Sequence, residues 1–147
     1  MSGLHFRPAT RDEVPAIVAL LRDGSIGPQT GDPQSWLAAF DAMQARGGNQ
    51  LIVGVQDGQI LACYQIAVIA GLSLAATLRA EIEGVRVRTD QRGQGLGAAL
   101  MRDAEMRARA AGCTLLQFTS NQSRSRAHRF YDRLGFTASH IGYKKSL

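Results

Sequence analysis

Cysteine is scarce in this chain of 147 residues: Cys63 and Cys113 are the only two, fifty positions apart, with no Cys or His at ligand spacing. That pattern excludes a disulfide framework and leaves a structural zinc site without a ligand set. Both thiols read as small buried hydrophobes of a reducing compartment, and no metal is expected. Long apolar runs are missing too. The longest, Ile66 to Leu72, contains a glycine and two small residues and is far too short to span a bilayer. The opening Met1-Ser2-Gly3-Leu4-His5-Phe6-Arg7 has no basic segment followed by an apolar core, so no secretion signal is read and a cytoplasmic location is expected. Aromatic residues make up only 6%, and the arginines that cluster at 86–92 and 124–133 form no dense run of like charge. The net charge of +5 therefore fits a basic groove for a small polyanion better than a nucleic-acid surface. With no repeat, linker or low-complexity segment, residues 1–147 read as one domain. A chain of this size buries roughly 70% of its unfolded surface, enough for a core.

What is present is well-punctuated secondary structure. Leu4 to Arg7 alternates like a strand. Thr10-Arg11-Asp12-Glu13 has the form of a capping box, followed at helical spacing by Val14, Ile17, Val18 and Leu21. That helix should stop near Asp23-Gly24. The glycine- and proline-rich stretch Ser25 to Pro33 reads as a mobile loop. A second helix begins at Pro33 with Asp32 as its cap, carries Trp36, Leu37, Phe40 and Met43, and halts at Gly47-Gly48. Strands are expected at 51–56 and 59–70, joined by Asp57-Gly58, a dipeptide suited to the positive φ angles of a tight hairpin.

After a loop at 71–78, Ala80 to Val87 reads as another strand, in which Gly84 suggests a bulge. A long helix follows with Leu100, Met101, Ala104, Ala108 and Ala111 in one stripe, ended by Gly112. A strand at 115–120, a helix at 125–134 and a last strand at 138–145 complete an α/β pattern: a mixed sheet covered by helices.

The chemistry concentrates where the strand at 80–87 meets the long helix. Arg92-Gly93-Gln94-Gly95-Leu96-Gly97 places three glycines in five residues behind an arginine. Glycines let backbone approach a ligand closely, and the unpaired N–H groups of a helix's first turn point at an anion along the helix dipole. Gly93-x-Gly95-x-x-Ala98 also matches a dinucleotide fingerprint. That reading expects an acidic residue about twenty positions on, and Gln117-Phe118-Thr119-Ser120-Asn121 has none. No Gly-Lys-Ser/Thr is present, which excludes a Walker loop.

The run Val87-x-x-x-x-Arg92-x-x-Gly95-x-Gly97 resembles the acetyl-CoA loop of the GNAT N-acetyltransferase superfamily. Downstream, Asn121, Ala127, Phe130-Tyr131 and Leu134-Gly135-Phe136 are similar to that family's second conserved segment, with the spacer 122–126 slightly longer than usual. The resemblance implies a single-domain acetyl-CoA N-acyltransferase fold, α/β (α+β in some schemes), with a mixed, mostly antiparallel, splayed sheet flanked by helices. It implies acetyl-CoA as co-substrate, held by Val85, Val87, Arg92, Gly93, Gln94, Gly95, Leu96, Gly97, Ala98, Asn121 and Tyr131.

The reaction it implies is attack of a primary amine on the thioester, with no metal. Glu83 is the candidate base, with Glu81 or water alone as alternatives; ideal alternation puts Glu81, Glu83 and Val85 on one face unless a bulge re-aims them. Both glutamates could instead be exposed or paired with an arginine. Tyr131 shares a helix stripe with Ala127, Phe130 and Leu134, and the family match makes it the candidate acid, or hydrogen-bond partner, for the thiolate. A backbone N–H near Val85 to Val87 would polarise the carbonyl. His128 lies off the stripe and reads as exposed; His5 and His140 have no identifiable partner.

The acceptor expected is a small-molecule or peptide amine, bound by 24–32, 71–79 and 140–143; these segments carry few acids, which disfavours a polycation. Neither nucleic acid nor a membrane is an expected partner, and a homodimer is compatible with this reading. A non-catalytic acyl-CoA-binding sensor or scaffold is the alternative.

Overall fold

The computed structural model describes residues 3–25 and 31–147, which fall into two compact units, one ending at Gln117 and the other starting at Phe118. Of the stretch Ser25 to Pro33, expected to be mobile, residues 26–30 lie outside the described residues.

The first unit is built on a five-stranded sheet: β1 (His5–Pro8), β2 (Asn49–Gln56), β3 (Gln59–Ile69), β4 (Arg79–Val87) and β5 (Leu115–Gln117), neighbours in that order. The first three pairings are antiparallel and β4–β5 is parallel. A parallel neighbour requires a crossover, and α4 (Leu96–Ala110) provides it. Between β2 and β3 the turn residues Asp57 and Gly58 both take positive φ, 49° and 74°, as the hairpin reading requires. Between β3 and β4 lies a one-turn segment, α3 (Ser73–Ala76), in which Leu74, Ala75 and Ala76 are left-handed, with φ from 55° to 59°.

Helices cover both faces. On one, α1 (Val14–Arg22) and α2 (Pro33–Arg46) bury Ile17, Val18, Leu20 and Phe40 against Val53, Val55 and Cys63. The α2 start matches its sequence signal: Pro33 opens the helix, and the Asp32 carboxylate accepts from the Gln34 N–H at 3.1 Å. On the other face α4 packs against β3 and β4 with Leu100, Met101, Ala104 and Ala108 buried. Its one buried charge, Asp103, accepts from the Tyr64 hydroxyl on β3 and from Arg107 Nε at 2.8 Å, and Arg107 Nη2 donates to the Phe6 carbonyl on β1 at 3.1 Å. Burial, with Asp103 beside it, pushes the Tyr64 phenol far above its usual range, so it stays protonated and donates to Asp103.

The capping box at the entrance to α1 carries a pH signature. Glu13 accepts from the Thr10 N–H at 2.8 Å and takes a bidentate pair of bonds from Arg7, at 2.6 and 2.9 Å. The Arg7 bonds are the main reason its carboxyl falls from 4.5 to about 2. Because the folded value lies below the unfolded one, this contribution is present above pH 4.5 and is lost as pH falls through about 2. Urea midpoints taken from pH 6 to pH 2 should therefore fall less steeply in Arg7→Met than in the wild type. Parallel declines would remove the pair from the acid limb.

Three sequence expectations change. Ala111 is not part of the buried stripe: α4 ends at Ala110, and Ala111 is the exposed residue that leads into Gly112 at φ 84°. The strand expected at 115–120 pairs only as far as Gln117, because Phe118 instead enters an aromatic cluster with Tyr131 and Phe136. No strand forms at 138–145 among the described residues. A strand does not hold without a paired neighbour, and Ile141 and Tyr143 are largely exposed.

The second unit contains α5 (Ser125–Arg133) and that cluster, with the Phe118 and Tyr131 ring centroids 4.4 Å apart.

Candidate active site

The site begins with a fault in the β3–β4 ladder. Gln65 pairs with Glu83 and Cys63 with Arg86, so Tyr64 alone faces both Gly84 and Val85. This is the bulge the glycine suggested, and Gly84 supplies φ +60° there. Its effect on facing differs from simple alternation. Directly paired residues share a sheet face, and Cys63 belongs to the core under α1. Arg86, not Val85, therefore joins Glu81 and Glu83 on the α1 face.

Each of the two glutamates has an amide partner. Glu83 is exposed and accepts from Gln65 Nε2 at 2.8 Å; Glu81 is half-buried and accepts from Gln117 Nε2 at 2.9 Å. Each is thus oriented by an amide from a neighbouring strand, while Glu83 stays open to solvent. Arg86 donates from Nε to the Leu21 carbonyl in the last turn of α1 at 3.3 Å, tying β4 to that helix end.

Next to the bulge the sheet opens. The β4–β5 ladder covers only residues 79–81 of β4, so one edge from Ile82 to Val87 has no β5 ladder. This splayed edge leads through the single turn Thr89–Gln91 to the glycine loop. There Gly93 and Gly95 take φ 80° and 84°, a region costly for other residues, and Gly95 is the N-cap of α4. The first helical bond runs from Ala99 N to Gly95 O, so the N–H groups of Leu96, Gly97 and Ala98 lie ahead of the ladder. Leu96 is buried and anchors the turn, while Gln94 is exposed. The Arg92 guanidinium donates from Nε to the Val87 carbonyl at 3.2 Å, folding it back along the strand end. On the hairpin side, Gln94 and Arg88 help line an open polar cavity of about 230 Å³ with Gln56 and Gln59.

The family model for the GNAT acetyltransferases matches residues 17–136. The chain belongs to the GNAT acetyltransferase family. A transcriptional regulator of Bacillus halodurans C-125 is 35% identical, with a TM-score of 0.92 over 99% of this chain and 100% of that one. A Clostridium acetobutylicum protein solved with acetyl-CoA is 15% identical and shares the fold, with a TM-score of 0.74 over 97% of this chain and 96% of that one. The aminoalkylphosphonate N-acetyltransferase of Salmonella typhimurium is 42% identical over 67 residues, which are 46% of this chain and 44% of that enzyme.

GNAT enzymes use acetyl-CoA, and the loop residues fit a pyrophosphate. A Cβ on Gly93 or Gly95 would meet nothing within 4 Å, so the loop is uncovered at these two glycines. No group of three or more His, Cys, Asp and Glu among the described residues could hold a metal ion, and no described helix is long and apolar enough to cross a membrane.

The other GNAT motif residues lie in the second unit. Tyr131 is half-buried among Phe118, Phe130 and Phe136. The Asn121 side chain is engaged locally: its Oδ1 accepts from the Ser123 N–H at 2.9 Å and the Ser123 hydroxyl at 2.7 Å, forming the turn that starts α5. His128 is half-buried rather than exposed, with Nε2 2.9 Å from the Asn121 carbonyl. His140 does have a neighbour, the Ser139 hydroxyl at 2.7 Å, and His5 Nδ1 lies 3.5 Å from the Gly3 carbonyl.

Sequence reasoning missed Arg86 as a cap for α1 and Asp103 as a buried anchor. Only the second left a local trace, its i,i+4 spacing to Arg107.

Proposed function

We propose that this chain moves an acetyl group from acetyl-CoA to a primary amine of a small molecule or peptide by direct attack, as a single GNAT domain over residues 1–147. The observation that carries the reading is the open splayed edge of β4 running into a glycine loop whose N–H groups precede the helical ladder. In this reading N–H groups of Gln94 to Ala98 hold the pyrophosphate, Arg92 lies near a phosphate, and Asn121 and Tyr131 complete the cofactor side.

When bound, acetyl-CoA supplies the activated thioester. Glu83 takes the proton of the incoming ammonium, directly or through water; free amines have pKa values near 10, so this proton must leave before nitrogen can attack. A backbone N–H near Val85 to Val87 polarises the carbonyl as the C–N bond forms and the C–S bond breaks. Tyr131 gives its proton, or a hydrogen bond, to the sulfur that leaves, and the second proton of the attacking nitrogen, lost as the amide forms, restores the phenol or reaches the thiolate.

Arg92→Ala is expected to weaken acetyl-CoA binding by about 1–3 kcal/mol, the range for a lost charged hydrogen bond. Unchanged affinity by calorimetry would remove Arg92 from the phosphate site.

The acceptor is approached through the Salmonella relative: its name makes an amine bearing an anionic phosphonate the first acceptor to try in a thiol-release panel. Release above background with an amine of this class supports the reading. A second reading, a non-catalytic acyl-CoA sensor, is favoured by the regulator from Bacillus halodurans. Tight acetyl-CoA binding without thiol release across the panel would decide for it.

A further inference from the structure

Asp23 breaks a local rule. It stands at the C-cap of α1, the negative end of the helix dipole, where a carboxylate is disfavoured. Residues that break such rules tend to belong to functional sites. Its carboxylate accepts from the Thr89 N–H at 2.8 Å and from the Thr89 hydroxyl, across 66 positions of sequence. Those bonds, and then the charges of Arg92 and Arg88, keep its carboxyl below the usual range.

The same corner is joined twice more. Arg86 reaches the Leu21 carbonyl from β4. The Arg92 guanidinium lies over Gly24, with Nη2 2.9 Å from where a Cβ would stand. Thr89 in turn accepts from the Arg92 N–H at 3.4 Å, so the placement of this turn sets where Arg92 and the glycines stand.

We infer that Asp23 is a positioning residue for the cofactor loop, holding Thr89, and through it Arg92, where pyrophosphate binding needs them. This rests on the acetyl-CoA reading above. Two effects oppose each other when Asp23 is changed. Losing its bonds lets the loop drift, which weakens binding. Losing its charge beside Arg92 strengthens the field on an anion, which tightens binding. The bonds act directly on the loop backbone, whereas the field of a carboxylate at the solvent boundary is weakened by the high dielectric of water, so drift dominates.

The test is calorimetry of the full chain with acetyl-CoA, beside melting temperatures. Asp23→Asn and Thr89→Val should each weaken affinity about 3–10-fold, less than the full worth of a hydrogen bond to a carboxylate because the loop is displaced and not removed. Thr89→Ser, which keeps the hydroxyl, should restore wild-type affinity, with melting temperatures nearly equal throughout. Tighter binding in Asp23→Asn, unchanged affinity in both variants, or failure of Thr89→Ser to rescue would overturn the inference. Failure of the wild type to bind acetyl-CoA, or wild-type affinity in Arg92→Ala, would instead overturn the reading of the loop.

Discussion

Glu83→Gln is expected to lower turnover about 100- to 10,000-fold, the usual range for losing a general base, while acetyl-CoA still binds. The substitution keeps the size of the side chain and the capacity of Oε1 to accept from Gln65, so strand β4 should be undisturbed. The defect should be largest near neutral pH, where the acceptor amine is protonated, and should shrink as pH rises and free amine becomes abundant. Tyr131→Phe makes the contrast. It keeps the ring among Phe118, Phe130 and Phe136 but removes the hydroxyl, so the rate should fall without loss of α5. High pH should not rescue it, because the departing thiolate still lacks its partner. Matching pH profiles in the two variants would show that at least one role is misassigned. Full activity in both would leave positioning of the reactants as the source of catalysis. A strong defect in Glu81→Gln with normal Glu83→Gln would move the base one pleat along the strand.

The largest stability effect should come from Asp103→Ala, at about 3–5 kcal/mol, the scale for removing one partner of a buried ion pair. Asp103 joins Tyr64 and Arg107, and Arg107 also reaches the Phe6 carbonyl, so one side chain on α4 connects β3 and β1. Without the carboxylate, a fully buried phenol and a half-buried guanidinium lose their acceptor together. Tyr64→Phe should cost less, about 1–2 kcal/mol, because Asp103 keeps Arg107. Urea midpoints would rank the two. A shift below about 1 kcal/mol for Asp103→Ala would mean the network adds nothing over packing alone. Because α4 presents the glycine loop at its N-terminus, about two turns from Asp103, Asp103→Ala should lose stability well before it loses acetyl-CoA affinity in the fraction that remains folded.

Much of this protein was written in short stretches of sequence. Thr10 to Glu13, Asp32-Pro33 and Gly112 mark helix ends because capping involves residues within one turn of each other. Asp57-Gly58 specifies its hairpin because the needed φ angles are available to those two residues. The glycine loop was legible for the same reason: three glycines behind an arginine at a strand-to-helix junction are a local device for an anion. Even the bulge had a local sign in Gly84, although its result did not.

The tertiary structure decided what depends on register and on the approach of distant elements. One extra residue in β4 sets Arg86 on the face of Glu83, and only the pairing with Cys63 and Gln65 reveals it. The strand expected after Leu115 stops early because Phe118 has better apolar contacts elsewhere, and the segment 138–145 is no strand because without a paired neighbour its backbone groups are left to water. Asp103 was open to a sequence reading only as half of a helical ion pair, since its other partner is 39 positions away on β3. The bond from Asp23 to Thr89 left no trace at all. Periodicity and capping record interactions closed within a few residues, whereas a carboxylate at a helix end meets the turn before the glycine loop only after the sheet has brought α1 and β4 side by side.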